Sequence, residues 1–244
     1  MLSKYRYTLI FAVGMCLFPA MALLAEEAVD GEWERSITLG LNTARGNSDT
    51  RLFKTVWRAE QIRERDEWQL FLNWTYGKTD NEKNSEFGRF SVDRKRLFTK
   101  RQYYEGMFDI HYDALARIDY RIITGPAYGV FLMRSPETRF SVEVGPSYVR
   151  EKERQNTEDY MAARLAENFS QRINDRVRIW QAAEYIPRLD DLDHFLFKGE
   201  IGIEAALNEY MSLEVALEDR YDSRPAEDKK KNDVYFSTSL KIAF

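Results

Sequence analysis

Few side chains of this sequence could do acid-base or covalent chemistry, and long stretches separate them. The only histidines are His111 and His194, and the only cysteine is Cys16. A hydrolase that uses a histidine as its general base needs a serine or a water within hydrogen-bond reach, and a third group that orients the ring. No Gly-x-Ser-x-Gly segment is present. Hydrolysis through His111 or His194 is therefore an alternative hypothesis, and we do not predict an enzyme.

Metal and cofactor chemistry has equally little support in the residue pattern. Asp190, Asp191 and Asp193 stand beside His194 and offer oxygen ligands of the kind that Ca²⁺ prefers. They lack the loop glycine and the terminal bidentate glutamate of an EF-hand, so we interpret them as solvated loop acids. The sequence contains no zinc-ligand spacing, phosphate-binding glycine-rich loop or dinucleotide fingerprint. We predict no cofactor, no metal ligand and no catalytic residue.

The overall composition excludes several further classes of protein. The 244 residues carry 36 Lys and Arg against 40 Asp and Glu, a net charge of −4. A dedicated nucleic-acid-binding protein would need a basic face, so no nucleic-acid partner is expected. With 31% charged and 14% aromatic residues, the chain is neither low-complexity nor a helical membrane protein.

The first 25 residues are typical of a secretory signal peptide. Basic residues precede an apolar run at 8–18, and small residues follow it. The run is shorter than the roughly 20 residues that span a bilayer. We predict a signal peptide over 1–25, cleaved after Ala22 or Ala25, and one domain over 26–244.

Beyond residue 30, apolar and polar residues alternate in segments of about ten residues, as in antiparallel membrane barrels. The clearest segment is Trp68, Leu70, Leu72, Trp74 and Tyr76, alternating with Gln69, Phe71, Asn73 and Thr75. We predict an all-β fold, a single antiparallel transmembrane β-barrel of about twelve strands. The predicted strands are 33–45, 50–62, 67–77, 86–97, 102–113, 119–132, 139–150, 159–170, 176–187, 195–207, 211–221 and 233–244.

The connections between these segments alternate in length. Tight ones are predicted at 63–67, 98–101, 135–138, 171–175 and 208–210, and mostly longer ones at 78–85, 114–118, 151–158, 188–194 and 222–232. The loop at 46–49 is the exception, because it is short. Short periplasmic turns and longer outer loops are typical of barrels in the outer membrane of Gram-negative bacteria.

Aromatic residues stand near both ends of the predicted strands, as the interfacial girdles of a membrane barrel would require. The last segment places Val234, Phe236, Leu240 and Phe244 on one face. An outward aromatic at the end of the last strand resembles the signal read by the barrel-assembly machinery, which we expect as a partner. The alternative is a soluble β-sandwich or lipocalin-like barrel with the apolar face inside. Girdles, loop lengths and Phe244 favour the membrane.

The opening and the tight turns of the chain also resemble a known family. The segments are Trp33–Leu41, the sequence Ala-Arg-Gly-Asn-Ser-Asp-Thr at 44–50, and Glu64–Trp68. With the Phe-terminated last strand, they resemble the DUF481 family of putative salt-induced outer-membrane proteins. The resemblance covers nearly all of the predicted mature chain. It implies a porin-like fold and the cell outer membrane as location, and it implies no activity.

Charged residues lie opposite the apolar face and would line the lumen of such a barrel. The candidate lumen residues are Arg121, Glu143, Arg178, Glu184, Lys198, Glu200, Glu204, Glu214, Glu218, Arg220 and Lys241. A symmetric register pairs Glu184 with Lys198 and Arg178 with Glu204, and a comparable register places Glu214 near Lys241. An unpaired buried charge is strongly unfavourable, so pairing is expected.

Two functions remain open for this lumen. An ion-pair ladder would fill it and leave a structural barrel, whereas an open lumen would form a narrow passive channel with rings of charge. The mixed signs argue against strong anion selectivity. Lipid and lipopolysaccharide are the expected surroundings, and the lysines at 229–231 could contact lipopolysaccharide phosphates. The sequence predicts no oligomeric state.

Overall fold

A computed structural model describes residues 31–44, 50–80, 82–154 and 156–244. The predicted signal peptide and the turn at 46–49 lie outside these residues. No helix in the described part of the chain is long and apolar enough to cross a bilayer.

The described elements are twelve β-strands, and each pairs antiparallel with its neighbours in a closed barrel. The strands are β1 (Trp33–Ala44), β2 (Thr50–Ile62), β3 (Asp66–Thr79), β4 (Glu82–Leu97), β5 (Gln102–Asp113), β6 (Ile118–Arg134), β7 (Thr138–Glu153), β8 (Asn156–Arg172), β9 (Val177–Pro187), β10 (Phe195–Ala206), β11 (Met211–Asp222) and β12 (Asn232–Ala243). The first strand closes the wall by pairing with the last, so that Thr38 lies opposite Lys241. The predicted fold class is confirmed.

The wall turns its apolar face outward and its ionised face inward. Leu165 and Ile201 on the outer face are 47% and 55% exposed, whereas Glu105 and Glu143 on the inner face are 4% and 3% exposed. A soluble barrel would have the reverse arrangement, because water would face the charges and exclude the apolar side chains. The orientation is that of a membrane barrel, and the soluble alternative is wrong.

Aromatic side chains cluster on the outer face at both ends of the strands. At the end with the tight turns, the rings of Phe98 and Tyr104 stack with centroids 4.9 Å apart. At the opposite end, Phe195 lies between Tyr185 and Tyr221, at 5.2 Å and 5.5 Å. These positions agree with the girdles expected at the two membrane interfaces.

Three of the tight turns share one local feature, a short polar side chain that accepts hydrogen bonds from the backbone ahead of it. The Thr99 hydroxyl accepts a hydrogen bond from the backbone N–H of Gln102 at 2.8 Å. Asn174 and Asn208 each accept two backbone N–H bonds at 2.9 to 3.0 Å. Such side chains favour turns because they satisfy backbone donors that the strands leave free.

Two of the predicted long outer loops are wrong. The segments 78–85 and 151–158 lie largely in β3, β4, β7 and β8, and the connections shrink to 80–81 and 154–155. Asp80 and Arg154 adopt positive φ angles of 50° and 52°, as two-residue hairpin turns often require. The residues there are polar on both faces because these hairpins extend beyond the apolar band, and the sequence pattern therefore resembles a loop.

The ladder between β6 and β7 is interrupted where Pro126 lies opposite Pro146. Neither proline has an N–H to donate, and paired residues resume on both sides of them with the same register. The two strands approach closely at this point. A Cβ atom added to Gly145 would collide with the Pro126 carbonyl and would lie 2.7 Å from the Ala127 Cα.

We therefore expect Gly145→Ala to destabilise the barrel, because the obstructing atoms belong to the backbone of β6 and cannot rotate away. The expected loss is about 1–3 kcal/mol in the free energy of unfolding, measured by urea titration in detergent micelles. Gly88→Ala is the matched control, because a Cβ there has nothing within 4 Å. Equal stability of the two variants would contradict the close approach.

Candidate functional site

The inner face of the barrel brings the predicted lumen residues together. In register, Lys198 lies opposite Glu184 and Arg220, and Glu204 lies opposite Arg178 and Glu214. Arg121, Glu143, Glu184, Lys198, Glu200 and Arg220 line internal cavities of the barrel. These residues therefore lie on the inward face of the wall. That solutes pass them remains a prediction.

A network of buried charges occupies the middle of the barrel, and its centre is Glu143 on β7. The Glu143 side chain has no exposed surface and accepts a hydrogen bond from Lys95 Nζ at 2.7 Å. The Tyr103 hydroxyl donates to the same carboxylate at 2.7 Å, and Arg164 Nη1 donates at 3.2 Å. Three donors from β4, β5 and β8 thus hold one carboxylate away from water.

Arg164 on β8 links this network to two more carboxylates. Its guanidinium donates to Glu105 at 3.0 Å and to Glu184 at 2.5 Å. The planar guanidinium has five N–H donors, which suits it to several carboxylates at once. The sequence analysis missed Arg164, because its inner-face neighbours Ala162 and Ala166 give the strand little contrast between its two sides.

Two of the three predicted cross-strand pairs have the expected register. Glu184 lies opposite Lys198, and Arg178 lies opposite Glu204 and donates to it at 2.7 Å. The third prediction, that Glu214 pairs with Lys241, is wrong. Glu214 lies opposite Ser239, and its ion pair is with Arg58 Nη1 at 3.6 Å.

Between β10 and β11, residues of like charge lie opposite each other. Glu200 faces Glu218, and Glu204 faces Glu214. Like charges directly opposite in a sheet are destabilising, so nearby cations must compensate them. Lys241 Nζ on β12 accordingly binds Glu204 at 3.1 Å.

Two contacts cross the interior between strands far apart in the wall. Arg121 on β6 donates to Asp222 at the end of β11 at 2.6 Å. Arg220 on β11 lies over the ring of Phe87 on β4, with its Cζ 3.6 Å from the ring centroid. Four strands separate the partners in each case. These contacts narrow the outer half of the lumen.

The end of the interior near the tight turns is also filled. Glu67 binds Arg134 at 3.1 Å and Arg139 at 2.6 Å. Beside them, Leu97, Tyr103 and Phe131 form a buried apolar cluster. None of these residues was a candidate site residue in the sequence analysis.

The opposite end is covered by the last loop, residues 223–231. Arg224 in this loop binds Asp191 at 2.6 Å, and Arg117 donates to the Glu227 carbonyl at 2.8 Å. The solvated-acid interpretation of the neighbouring loop fits Asp190, which bonds Arg188. That hydrogen bond and the positive charge of Arg188 lower the pKa of the Asp190 carboxyl.

Inward-facing side chains of the described strands line an outer and a central cavity inside the barrel. The outer one, of about 110 Å³, lies beneath Pro225 and Lys230 of the last loop. The central one, of about 140 Å³, is lined by residues of the Glu143 network. The two share four lining residues, Arg89, Asp109, Glu184 and Lys198. A ring of two cations and two carboxylates thus stands between them.

The two histidines lie in separate surroundings. His111 lines the outer cavity, and its Nδ1 lies 3.2 Å from an Asp109 carboxylate oxygen. His194 lies in the 188–194 loop, where its ring centroid is 5.7 Å from that of Tyr160. The residues that line the outer cavity include no serine beside His111. Within the described residues, no three His, Asp or Glu side chains are arranged to hold a metal ion.

Residues 37–244 match the model of a family described as "Protein of unknown function, DUF481". No curated protein matches the sequence.

Similar solved structures are barrels. The NanC porin is 6% identical with a TM-score of 0.50, over 87% of this chain and 98% of that one. The KdgM porin in complex with disordered oligogalacturonate is 8% identical with a TM-score of 0.48, over 86% and 99%. The translocator domain of the autotransporter NalP from Neisseria meningitidis is 12% identical with a TM-score of 0.48, over 99% and 97%. At 6% identity, the similarity to the NanC porin shows a shared fold and no more.

Removing the Glu143 carboxylate tests how much the stability of the barrel depends on it. We expect Glu143→Gln to lower the free energy of unfolding by about 3 kcal/mol, because Lys95 and Arg164 lose the charge that compensates them in a buried site. Urea titration in micelles, followed by tryptophan fluorescence, measures the change. Glu209→Gln in an exposed turn is the control and should leave stability unchanged. Equal effects of both substitutions would contradict the network's role.

Proposed function

We propose that this chain, which belongs to the DUF481 family of proteins of unknown function, forms a narrow passive channel in the bacterial outer membrane. The observation that supports the proposal is a pair of cavities that follow one another inside a closed wall, both lined by charged side chains. Cavities of this size hold water where polar groups face them, whereas wholly apolar ones stay empty. Two wet compartments in series are the elements of a pore.

The dimensions of the interior limit what could pass. Cavities of about 110 and 140 Å³ hold a few water molecules each. The side chains that cross the lumen, above all Arg220 and Arg121, leave no room for a sugar or a peptide without moving. We therefore propose water and small ions as the permeating species, with a small conductance.

The charge pattern of the interior fits a channel that is not anion-selective. Carboxylates and cations are mixed along the lumen. An anion channel would use rings of basic side chains, and here acidic side chains stand among the basic ones. The outer cavity illustrates this, because its lining combines Lys198 and Arg220 with Asp109 and Asp222.

The location and the surroundings of the channel are part of the same proposal. Outward aromatics at both ends support insertion in a bilayer, and we propose the outer membrane with its lipopolysaccharide as the site. The lysines at 229–231 are the group that could meet lipopolysaccharide phosphates. We also propose that the assembly machinery contacts the last strand, which presents Phe236 and Phe244 at 65% and 68% exposure.

Reconstitution in planar bilayers tests the channel. We expect small, discrete single-channel steps from the wild type, and bilayers that stay silent in several salts would establish a sealed structural barrel instead. Phe87→Ala should raise the conductance severalfold, because it removes the ring on which Arg220 rests across the lumen. Phe90→Ala is the matched control on the same strand, since Phe90 lies on the lipid face.

The proposal assigns no catalysis to the chain, and a hydrolysis assay tests that part. Purified protein in mixed micelles should release no fatty acid from phospholipid or ester substrates above the rate of the buffer. Lipid hydrolysis that is lost in His111→Ala or His194→Ala would instead establish an enzyme.

A further inference from the structure

The central cavity carries more negative than positive charge. Its lining contains four cationic side chains and six carboxylates. The cations are Arg89, Lys95, Arg164 and Lys198, and the carboxylates are Asp93, Glu105, Asp109, Glu143, Glu184 and Glu200. If all are ionised, the cavity lining carries a net charge of −2. A low-dielectric wall makes such an excess costly unless a counter-ion binds or a carboxylate takes up a proton.

The contacts identify which two carboxylates form the excess. Glu143, Glu105, Glu184 and Asp109 are each in an ion pair with a cation of the cavity lining. The Asp93 carboxylate makes no side-chain hydrogen bond or ion pair with any residue in the described part of the chain. Glu200 accepts one hydrogen bond there, from Trp180 Nε1 at 3.2 Å.

The position of Glu200 adds an independent reason for a missing cation. It lies directly opposite Glu218 on β11, a like charge at the short cross-strand distance of about 4.5–5.5 Å between Cβ atoms. Glu218 is compensated by Arg220 at 2.6 Å and by Lys198 at 3.8 Å. Those two cations are thereby already engaged, and among the described residues the Trp180 indole is the only hydrogen-bond partner of the Glu200 carboxylate.

We propose that the central cavity is a binding station for one small monovalent cation, such as Na⁺, K⁺ or ammonium, with Asp93 and Glu200 supplying the charge. The inference deepens the proposed channel, through which the ion would reach the cavity. Ser91, Gln69 and Asn168 also line the cavity and offer neutral oxygen atoms. A bound cation would reduce the excess charge and separate Glu200 from Glu218 electrostatically.

The geometry favours a hydrated monovalent ion over other cations. A volume of about 140 Å³ accommodates a small ion with a few waters and excludes bulky organic ammonium ions. Divalent ions need dense sets of oxygen ligands, and no cluster of three acids in the described residues offers one. Four cationic side chains in the same lining also oppose a second positive charge.

Thermal unfolding in micelles tests the site without requiring conduction. The midpoint of the wild type is measured in chloride salts of Na⁺, K⁺, ammonium and N-methylglucammonium at equal ionic strength. A ligand that binds only the folded state raises its stability in proportion to the logarithm of occupancy. We expect a higher midpoint in the three small cations than in N-methylglucammonium, and a loss of this difference in Asp93→Asn and in Glu200→Gln.

For each variant, the unfolding midpoints in the four salts are compared with one another. A substitution that changes the intrinsic stability therefore does not affect the difference between salts. Asp193→Asn, in an exposed loop, is the control and should keep the full cation-specific difference. If Asp93→Asn does not fold, Glu200→Gln alone decides. Equal wild-type midpoints in all salts would overturn the site, and so would a difference that persists unchanged in both variants.

Reversal potentials in a KCl gradient then separate this inference from the proposed function. A conducting wild type should prefer cations, and Asp93→Asn should reduce the cation-to-anion permeability ratio by at least about twofold. Silent bilayers together with a cation-specific melting shift would overturn the channel and support the site. Conducting bilayers without that shift would support the channel and overturn the site.

Discussion

Charge compensation inside a closed apolar wall is the constraint on which the rest of this structure depends. The lipid-facing side chains oblige the ionised groups in the middle of the wall to turn inward, where there is little water to solvate them. Glu143 shows the consequence, because a carboxylate with no exposed surface has Lys95, Arg164 and Tyr103 as donors. That one group thereby links β4, β5 and β8 through the interior of the barrel.

The same constraint explains why contacts reach beyond neighbouring strands. Strand pairing alone would leave Glu204 against Glu214, and Glu200 against Glu218, as like charges between β10 and β11. For Glu204 and Glu214, the compensation comes from Arg58 on β2, Lys241 on β12 and Arg178 on β9. Ion pairs therefore form across the interior and not only between neighbouring strands. They neutralise the carboxylates, and they also narrow the lumen.

Much of the wall could be predicted from the sequence, whereas the interior could not. Alternation locates all twelve strands and the register of Glu184 with Lys198, because one misplaced residue would turn a whole face toward lipid. It cannot show that Arg220 rests on Phe87, since that contact depends on the shape of the closed barrel. Nor can it separate a loop from a hairpin that extends beyond the membrane, as at 78–85, because both are polar.

The composition of the interior indicates that the buried charged side chains do more than fill the lumen. Elsewhere in the same lumen the chain packs an apolar cluster that includes Met107, Val149 and Ile186, so an apolar filling was accessible to this wall. Replacing buried ion pairs by well-packed apolar residues is often neutral or stabilising. Stability alone therefore does not account for the polar cavity between that cluster and the tight-turn end. The proposed channel would account for it, because the passage of water and ions needs polar side chains that stability alone does not require.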